Sequence, residues 1–286
     1  MTAPKHLNAG SSGEWGWHAT ELAMRCPQLF AYHHRIKDAT LDGNRGALLR
    51  GSMVHQGLAH HYARMQNAQN GLDPNEWATP EDAVYACCEA LGKEAANTEA
   101  LKYLDTSQNI VADYIAHYGS ERLDVVAVEE VFTATIHGYK FTQRLDLVAR
   151  RENGKVYIFD HKTTGRISAT SSERYTLSGQ FLGMATFGRS LWGTDFGGVI
   201  VNLIGCGPVG GYAPRGSVEF KRAELDPAPE ALRLFPLTVK DARERIVELD
   251  ASGRDPWEWP KVFSEQTCVG PYGRCDAFNL CRWGRE

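Results

Sequence analysis

Apolar positions recur along the chain first at a helical and then at a strand period. From Trp17 to Lys37, Leu22, Met24, Leu29, Phe30 and Tyr32 fit a helix broken by a turn, with Thr20 as its cap. Ala47 to Ala68 reads as a second helix carrying Leu48, Val54, Leu58 and Tyr62. Residues 71–80 form a loop with Gly71 and Pro74. Glu81 to Tyr118 repeats apolar residues at helical spacing (Val84, Leu91, Leu101, Leu104, Ile110, Tyr114), which predicts one or two helices. The period then shortens. Leu123 to Ile136 and Tyr139 to Ala149 read as strands joined at His137-Gly138, and Val156 to Lys162 as a third. Tyr175 to Trp192 returns to helix and Phe196 to Ile204 to strand; 205–216 is a Gly-rich loop and Ser217 to Glu224 an edge strand. Leu232 to Ser252 reads as an amphipathic helix whose charges make a solvated face.

The stretch Arg144 to Thr164 holds the most chemistry. Its turn, Glu152-Asn153-Gly154-Lys155, is a strong hairpin signal. Strand side chains alternate between faces, so Asp160 and Lys162 share one face and His161 takes the other. A hairpin can bring Asp146 near Asp160. Two carboxylates supply hard oxygen ligands for Mg²⁺ or Mn²⁺, and a lysine beside them can orient a water or neutralise charge developing on a phosphate. Asp-x-Lys triplets are common, and a hairpin that ends in solvated charges is the plain alternative.

The surrounding residues add a resemblance. Asp146 followed by Asp160-His161-Lys162-Thr163 resembles the signature of the PD-(D/E)XK nuclease superfamily in its RecB-like form. Gly51-Ser52-Met53-Val54-His55 is similar to that branch's upstream G-x-x-x-H element, and Gln180 to its downstream glutamine. Two positions depart: Gln143 or Arg144 stands where a glycine often precedes the first aspartate, and Met184 where a tyrosine is frequent. The resemblance implies an α/β fold with a restriction-endonuclease-like αβββαβ core and a mixed sheet. It implies His55, Asp146, Asp160 and the His161 carbonyl as ligands of one or two Mg²⁺ or Mn²⁺ ions. Lys162 would position the attacking water, and Gln180 would steady Lys162 or the DNA. His33, His34, His60 and His61 lack such a context and read as surface residues. Glu129 or Glu130 on the first strand reads only as inward-facing.

The chain has 286 residues, 43% hydrophobic, and a net charge of −4. That composition supports a sizeable core and argues against a generalised polycationic DNA binder. No apolar run approaches the ~18 residues of a membrane span, and the N-terminal stretch lacks the apolar core of a signal peptide. A cytoplasmic protein is expected. There, seven cysteines point to metal, redox or packing roles before disulfides. Cys268, Cys275 and Cys281 crowd the tail; Cys87 and Cys88 read as packing residues. Three thiolates need a fourth ligand for a tetrahedral zinc or a four-iron cluster. Cys26 is the candidate, because Cys26-Pro27 with Phe30 and Tyr32 resembles the C-P-x-x-F/Y opening of RecB-like nucleases. One early and three late cysteines resemble the AddB and CRISPR-adaptation nuclease types, which implies a [4Fe–4S] cluster. The gap between Cys268 and Cys275 is longer than in that pattern, and Zn²⁺ is the alternative.

These readings divide the chain into a flexible N-terminus (1–16), a helical region contributing Cys26 and His55 (17–122), the nuclease core (123–225), and a C-terminal helix with a cysteine-rich tail (226–286). The expected function is a metal-dependent deoxyribonuclease, an exonuclease rather than an endonuclease, acting on a single strand or a duplex end in DNA repair or recombination. No G-x-x-x-x-G-K-[S/T] loop occurs, so any unwinding falls to a helicase or recombination partner. The alternatives are a catalytically vestigial DNA-binding or recombination accessory protein, and an iron–sulfur sensor.

Overall fold

The structure, a computed structural model, describes residues 5, 7, 13–39, 41, 45–94, 100–208, 211–270 and 273–284. Most of the N-terminal segment expected to be flexible, 1–16, lies outside the described residues. The chain forms two compact units. The first comprises Met1–Ser11, Arg45–Phe132 and Arg144–Pro229; the second comprises Ser12–Asn44, Thr133–Gln143 and Glu230–Glu286.

The helices and strands follow the expected order: α1 (Trp17–Arg25), α2 (Pro27–His34), α3 (Arg45–Gln69), α4 (Pro80–Glu94), α5 (Leu104–Tyr118), β1 (Asp124–Ile136), β2 (Tyr139–Arg150), β3 (Val156–Thr164), α6 (Gly179–Trp192), β4 (Phe196–Gly205), β5 (Glu219–Leu225) and α7 (Pro229–Ala251). The sheet has the order β1-β2-β3-β4-β5. Strands β2 and β3 pair antiparallel with Leu147 opposite Phe159, β3 and β4 pair parallel with Asp160 opposite Val201, and β5 closes the edge antiparallel to β4. The sheet is therefore mixed, and α6 is the crossover that a parallel β3–β4 pair requires.

In the first unit, α3, α4 and α5 bury Met53, Val54, Leu58, Val84, Ile110 and Val111 in one cluster with Leu147, Phe159, Ile200 and Ile204 of the sheet. Helix α3 reaches β3 closely: a Cβ on Gly51 would sit 3.4 Å from Thr163 Oγ1. That glycine lets the helix bearing His55 approach the strand bearing Asp160 and Lys162. Helix α6 packs Phe181, Met184 and Ala185 inward. It starts at Gly179, four residues after the expected Tyr175, because Glu173–Tyr175 forms a separate 3₁₀ turn.

The second unit packs Leu22, Leu29, Phe30, Tyr32, Ile246 and Trp259 together. Cys26 is extended between α1 and α2, and Pro27 opens α2, where its missing N–H costs nothing. The tail is not a plain loop. It folds as α8 (Glu265–Cys268), β6 (Val269–Gly270), β7 (Gly273–Arg274) and α9 (Phe278–Trp283), with Val269 opposite Arg274.

Five side-chain expectations are corrected. Gly16, not Thr20, is the N-cap of α1; Thr20 lies inside the helix and its hydroxyl donates to the Gly16 carbonyl at 3.0 Å. Met24 and Leu101 are exposed rather than packed. His60 is buried, with Nε2 accepting from the Leu7 amide at 3.1 Å and Nδ1 3.3 Å from the Ala78 carbonyl. Arg243, on the face of α7 read as solvated, is buried and donates to the Glu14 carbonyl at 2.7 Å and the Thr20 hydroxyl at 3.1 Å.

Candidate metal centre

The β2–β3 ladder ends at Leu147 and Phe159, and the site begins where it ends. Beyond that pair the His161 amide donates to Asp146 Oδ2 at 2.9 Å. Nδ1 of His55, on α3, lies 3.3 Å from the same oxygen. On β3, Asp160 Oδ1 accepts from Gln180 Nε2 at 2.8 Å, and Oδ2 lies 2.7 Å from Lys162 Nζ. The lysine ammonium also sits 5.6 Å from the Phe181 ring centroid. Two strands and two helices thus bring together His55, Asp146, Asp160, Lys162 and Gln180. The His161 imidazole turns the other way, stacked on Tyr62 with ring centroids 6.0 Å apart and with Nδ1 3.0 Å from Asn202 Nδ2. Its ring centroid also lies 6.0 Å from that of His55.

Glu129 joins this group. One ligand atom from each of His55, Glu129 and Asp146 lies within 4.8 Å of the others, the one such group among the described residues. Burial along β1 alternates through Val125 and Ala127, then slips at Glu129, whose φ is +51°. A non-glycine residue in this conformation costs of order 1–3 kcal/mol, and such residues concentrate at functional sites. Sequence alternation marked Glu129 only as inward; the backbone irregularity that aims it carries no sequence signal.

The electrostatics follow from burial in a crowd of carboxylates. Burial pushes the Asp160 carboxyl up to about 6, against the Lys162 ammonium and reinforced by Asp146. Burial and Asp146 push Glu129 up to about 8, although Arg144 opposes the shift. Burial also acts upward on Asp146, but His55, His161, Lys162 and the His161 amide outweigh it and hold this carboxyl below its ordinary value. Burial alone would lower Lys162, yet Asp160 and Asp146 raise it, so it is an ammonium at neutral pH. The His161 ring is pushed down to about 3 by burial and is neutral. Glu129 Oε2 and Asp160 Oδ2 are both buried, 2.8 Å from Arg144 Nε and 2.7 Å from Lys162 Nζ. A divalent cation is a further partner that hard, crowded carboxylate oxygens fit.

The family model of the PD-(D/E)XK nuclease superfamily matches residues 17–183. The chain belongs to that superfamily. The match takes in His55, Asp146, Asp160, Lys162 and Gln180, and membership in the superfamily implies a nuclease, usually dependent on Mg²⁺ or Mn²⁺. No curated protein matches the chain. Among solved structures, the crystal structure of SSO0001 aligns at 14% identity over 76% of this chain and 92% of its own, with a TM-score of 0.30. Among the described residues, no helix of this nuclease-superfamily protein is long and apolar enough to cross a membrane.

The four cysteines singled out in the sequence all lie in the second unit. The β6–β7 hairpin sets Cys268 and Cys275 side by side, the Cys275 amide donating to the Cys268 carbonyl at 2.8 Å. Cys281 Sγ lies 3.8 Å from the Tyr32 hydroxyl. Burial, then Cys281, Cys26 and Cys275, drive the Tyr32 phenol far above its ordinary range, and Cys26, Tyr32 and Cys275 belong to one core cluster. Burial pushes the Cys275 thiol up to about 11. By contrast, Cys88 and Cys206 are buried in the core of the first unit.

Proposed function

We propose that this protein is a metal-dependent deoxyribonuclease of the RecB-like branch, acting from DNA ends. The observation that supports it is the convergence of His55, Asp146, Asp160, Lys162 and Gln180 from four elements. His55, Asp146 and Asp160 would hold Mg²⁺ or Mn²⁺, with the His161 carbonyl as a further donor. A bound cation supplies Lewis acidity toward the phosphate and lowers the pKa of a water. Lys162, an ammonium fixed by Asp160 and the Phe181 ring, holds the attacking water and offsets charge growing on the phosphate. Gln180 fixes the Asp160 carboxylate, and hence Lys162, in place.

Cys26, Cys268, Cys275 and Cys281 would hold a [4Fe–4S] cluster in the second unit. Two of the thiols flank a hairpin, Cys26 and Cys275 share a core cluster with Tyr32, and Cys281 lies 3.8 Å from the Tyr32 hydroxyl, an arrangement that supports such a group. There it would tie the α1–α2 break to the tail. Duplex opening would come from a separate helicase, which fits a role in DNA repair or recombination. The test is digestion of end-labelled linear DNA and covalently closed circular DNA with Mg²⁺ and with Mn²⁺. Linear DNA should be degraded from its ends and circular DNA spared, with Asp146→Asn inactive on both. Cleavage of the circle at an equal rate would overturn the end-dependent mode, and no cleavage of either substrate would overturn the nuclease reading.

A further inference from the structure

On the sheet face opposite Asp160 and Lys162, the His161 side chain enters a buried polar cluster. His161, Tyr62, Tyr114 and Asn202 are each 2% exposed or less. His161 and Asn202 are register partners on the parallel strands β3 and β4. The Asn202 side-chain amide donates to His161 Nδ1 at 3.0 Å and to the Tyr114 hydroxyl at 2.6 Å. An amide NH₂ has no acceptor capacity, so His161 Nδ1 is the acceptor and the ring proton sits on Nε2. The Tyr114 hydroxyl lies 2.8 Å from that of Tyr62 and accepts from Arg222 at 3.0 Å. Tyr62 stacks on the imidazole with the ring planes 8° apart, and Tyr114 meets it edge-on at 5.7 Å.

A buried polar cluster fills space no better than leucine and phenylalanine do, and this one leaves Asn202 Oδ1 without a partner among the described residues. What it adds is orientation: the stack sets the plane of the His161 ring, and the amide sets its rotation. That ring has a further neighbour, His55, whose own ring meets it edge-on at 6.0 Å with the planes 81° apart. His55 Nδ1 lies 3.3 Å from Asp146 Oδ2, the oxygen that accepts from the His161 amide at 2.9 Å. His161, His55 and Asp146 thus close a triangle of contacts, two of them made by His161. His55 and Tyr62 stand roughly two turns apart on α3, so both reach the His161 ring from one face of that helix.

Resting on the metal-nuclease reading above, we propose that His161 and Asn202 are positioning residues for His55: Asn202 fixes the His161 ring, and that ring is the wall that holds the His55 imidazole with Nδ1 aimed at the cation beside Asp146. Neither side chain is itself a ligand. They act as the outer partners that orient a ligating imidazole, and the residue between the two signature side chains of β3 serves the site by way of α3.

The experiment uses the full chain with Mn²⁺ as the probe. Unbound Mn²⁺ is counted by its electron paramagnetic resonance, and nitrogen coordinated to bound Mn²⁺ is read from the nitrogen modulation of its spin echo. Wild type should show that modulation and His55→Ala should not; its absence in wild type would remove His55 from the ligand set and the inference with it. Asn202→Leu, which replaces the amide by an apolar group of similar size, should weaken Mn²⁺ binding by roughly tenfold and alter the nitrogen coupling, as loss of an outer partner does. His161→Ala should weaken binding at least as much, and His161→Phe, which keeps a ring beside Tyr62 and His55, should recover much of that loss. The double variant of Asn202→Leu and His161→Ala should bind no more weakly than His161→Ala, since both act through one ring. Melting temperatures accompany each variant. A lower Tm with unchanged Mn²⁺ affinity and unchanged nitrogen coupling would make the cluster a packing feature and overturn the inference, as would losses that add fully in the double variant. If His161→Ala does not fold, Asn202→Leu, with every ring kept, decides alone. Asp146→Asn is the control for the underlying reading. Mn²⁺ binding lost there but intact in Asn202→Leu and His161→Ala defeats only the present inference, whereas binding intact in Asp146→Asn defeats the metal centre itself.

Discussion

The His161 main-chain amide is hydrogen-bonded to the Asp146 side chain, at 2.9 Å, where an antiparallel ladder would have offered it a carbonyl. The strand pair therefore opens without leaving that buried donor unpaired, and the first signature carboxylate is fixed by the backbone of the second signature strand. Removing charge at Asp146 or Asp160 should abolish cleavage while the fold survives, because aspartate and asparagine are nearly equal in volume. The two differ in stability. Asp160 is buried and its carboxyl pushed up, so ionising it in the metal-free protein is costly. Asp160→Asn should raise the metal-free melting temperature at pH 8 by several degrees, and Asp146→Asn, whose carboxylate is favoured in place, should lower it. Calorimetric melts with and without chelator decide this.

Lys162→Ala should lose cleavage by about 10²-fold or more, as for a lost electrostatic stabiliser, yet retain divalent-ion binding. Mn²⁺ titration alongside single-turnover cleavage checks the split. A parallel loss of both would make the lysine a structural partner of Asp160 and nothing more.

His55 contributes nitrogen to a site otherwise made of oxygens. His55→Ala should weaken Mn²⁺ binding more than Mg²⁺ binding, because Mn²⁺ accepts imidazole more readily. Calorimetric titrations with each ion measure the ratio, and an unchanged ratio would remove His55 from the ligand set.

The pH dependence has a definite sign. Asp160 and Glu129 are raised in the folded chain from ordinary values of 3.8 and 4.5 to about 6 and about 8. Their protonated forms favour the folded state, and that stability is present below the ordinary values and lost as pH rises through 6 and then 8. The metal-free melting temperature should therefore fall between pH 5 and pH 8.5 across the window set by these two groups. Saturating Mn²⁺ should flatten the slope, and apparent Mn²⁺ affinity should climb over the same window. A melting temperature that rises through it would contradict the assignment.

Anaerobically purified protein should be brown, with about four iron and four sulfide per chain for a [4Fe–4S] cluster. Cys26→Ala, Cys268→Ala, Cys275→Ala and Cys281→Ala should each bleach it and lower its melting temperature. Cys88→Ala should leave the colour intact, since Cys88 packs in the core of the first unit. A colourless protein holding one zinc would keep the tie and refute the iron.

The sequence disclosed the order of helices and strands because their periods differ and their turns are marked by Gly, Pro and Asn. It disclosed Asp146, Asp160 and Lys162 because strand alternation dictates which of them share a face. It did not disclose Glu129 as a partner, since its aim depends on a single positive φ that nothing in DVVAVEEVF announces. Nor did it reveal that His60 and Arg243 are buried. Polar side chains are read as exposed by default, and only tertiary contacts such as the Leu7 amide on His60 and the Glu14 carbonyl on Arg243 satisfy them inside.

The mixed sheet also orders events in time. Strands β2 and β3 are joined by a short turn in which the Gly154 amide donates to the Arg151 carbonyl at 2.9 Å, so Asp146 and Asp160 meet through a local hairpin that closes in about microseconds. The parallel β3–β4 pair must wait for the whole α6 crossover, and Gln180 and Asn202 arrive only with it. The two acids are thus neighbours in a nascent, wet hairpin before anything seals them. The upward shifts of Asp160 and Glu129 come from burial, so a hairpin not yet covered by the rest of the unit carries the signature residues without the shifted acidity of the folded site.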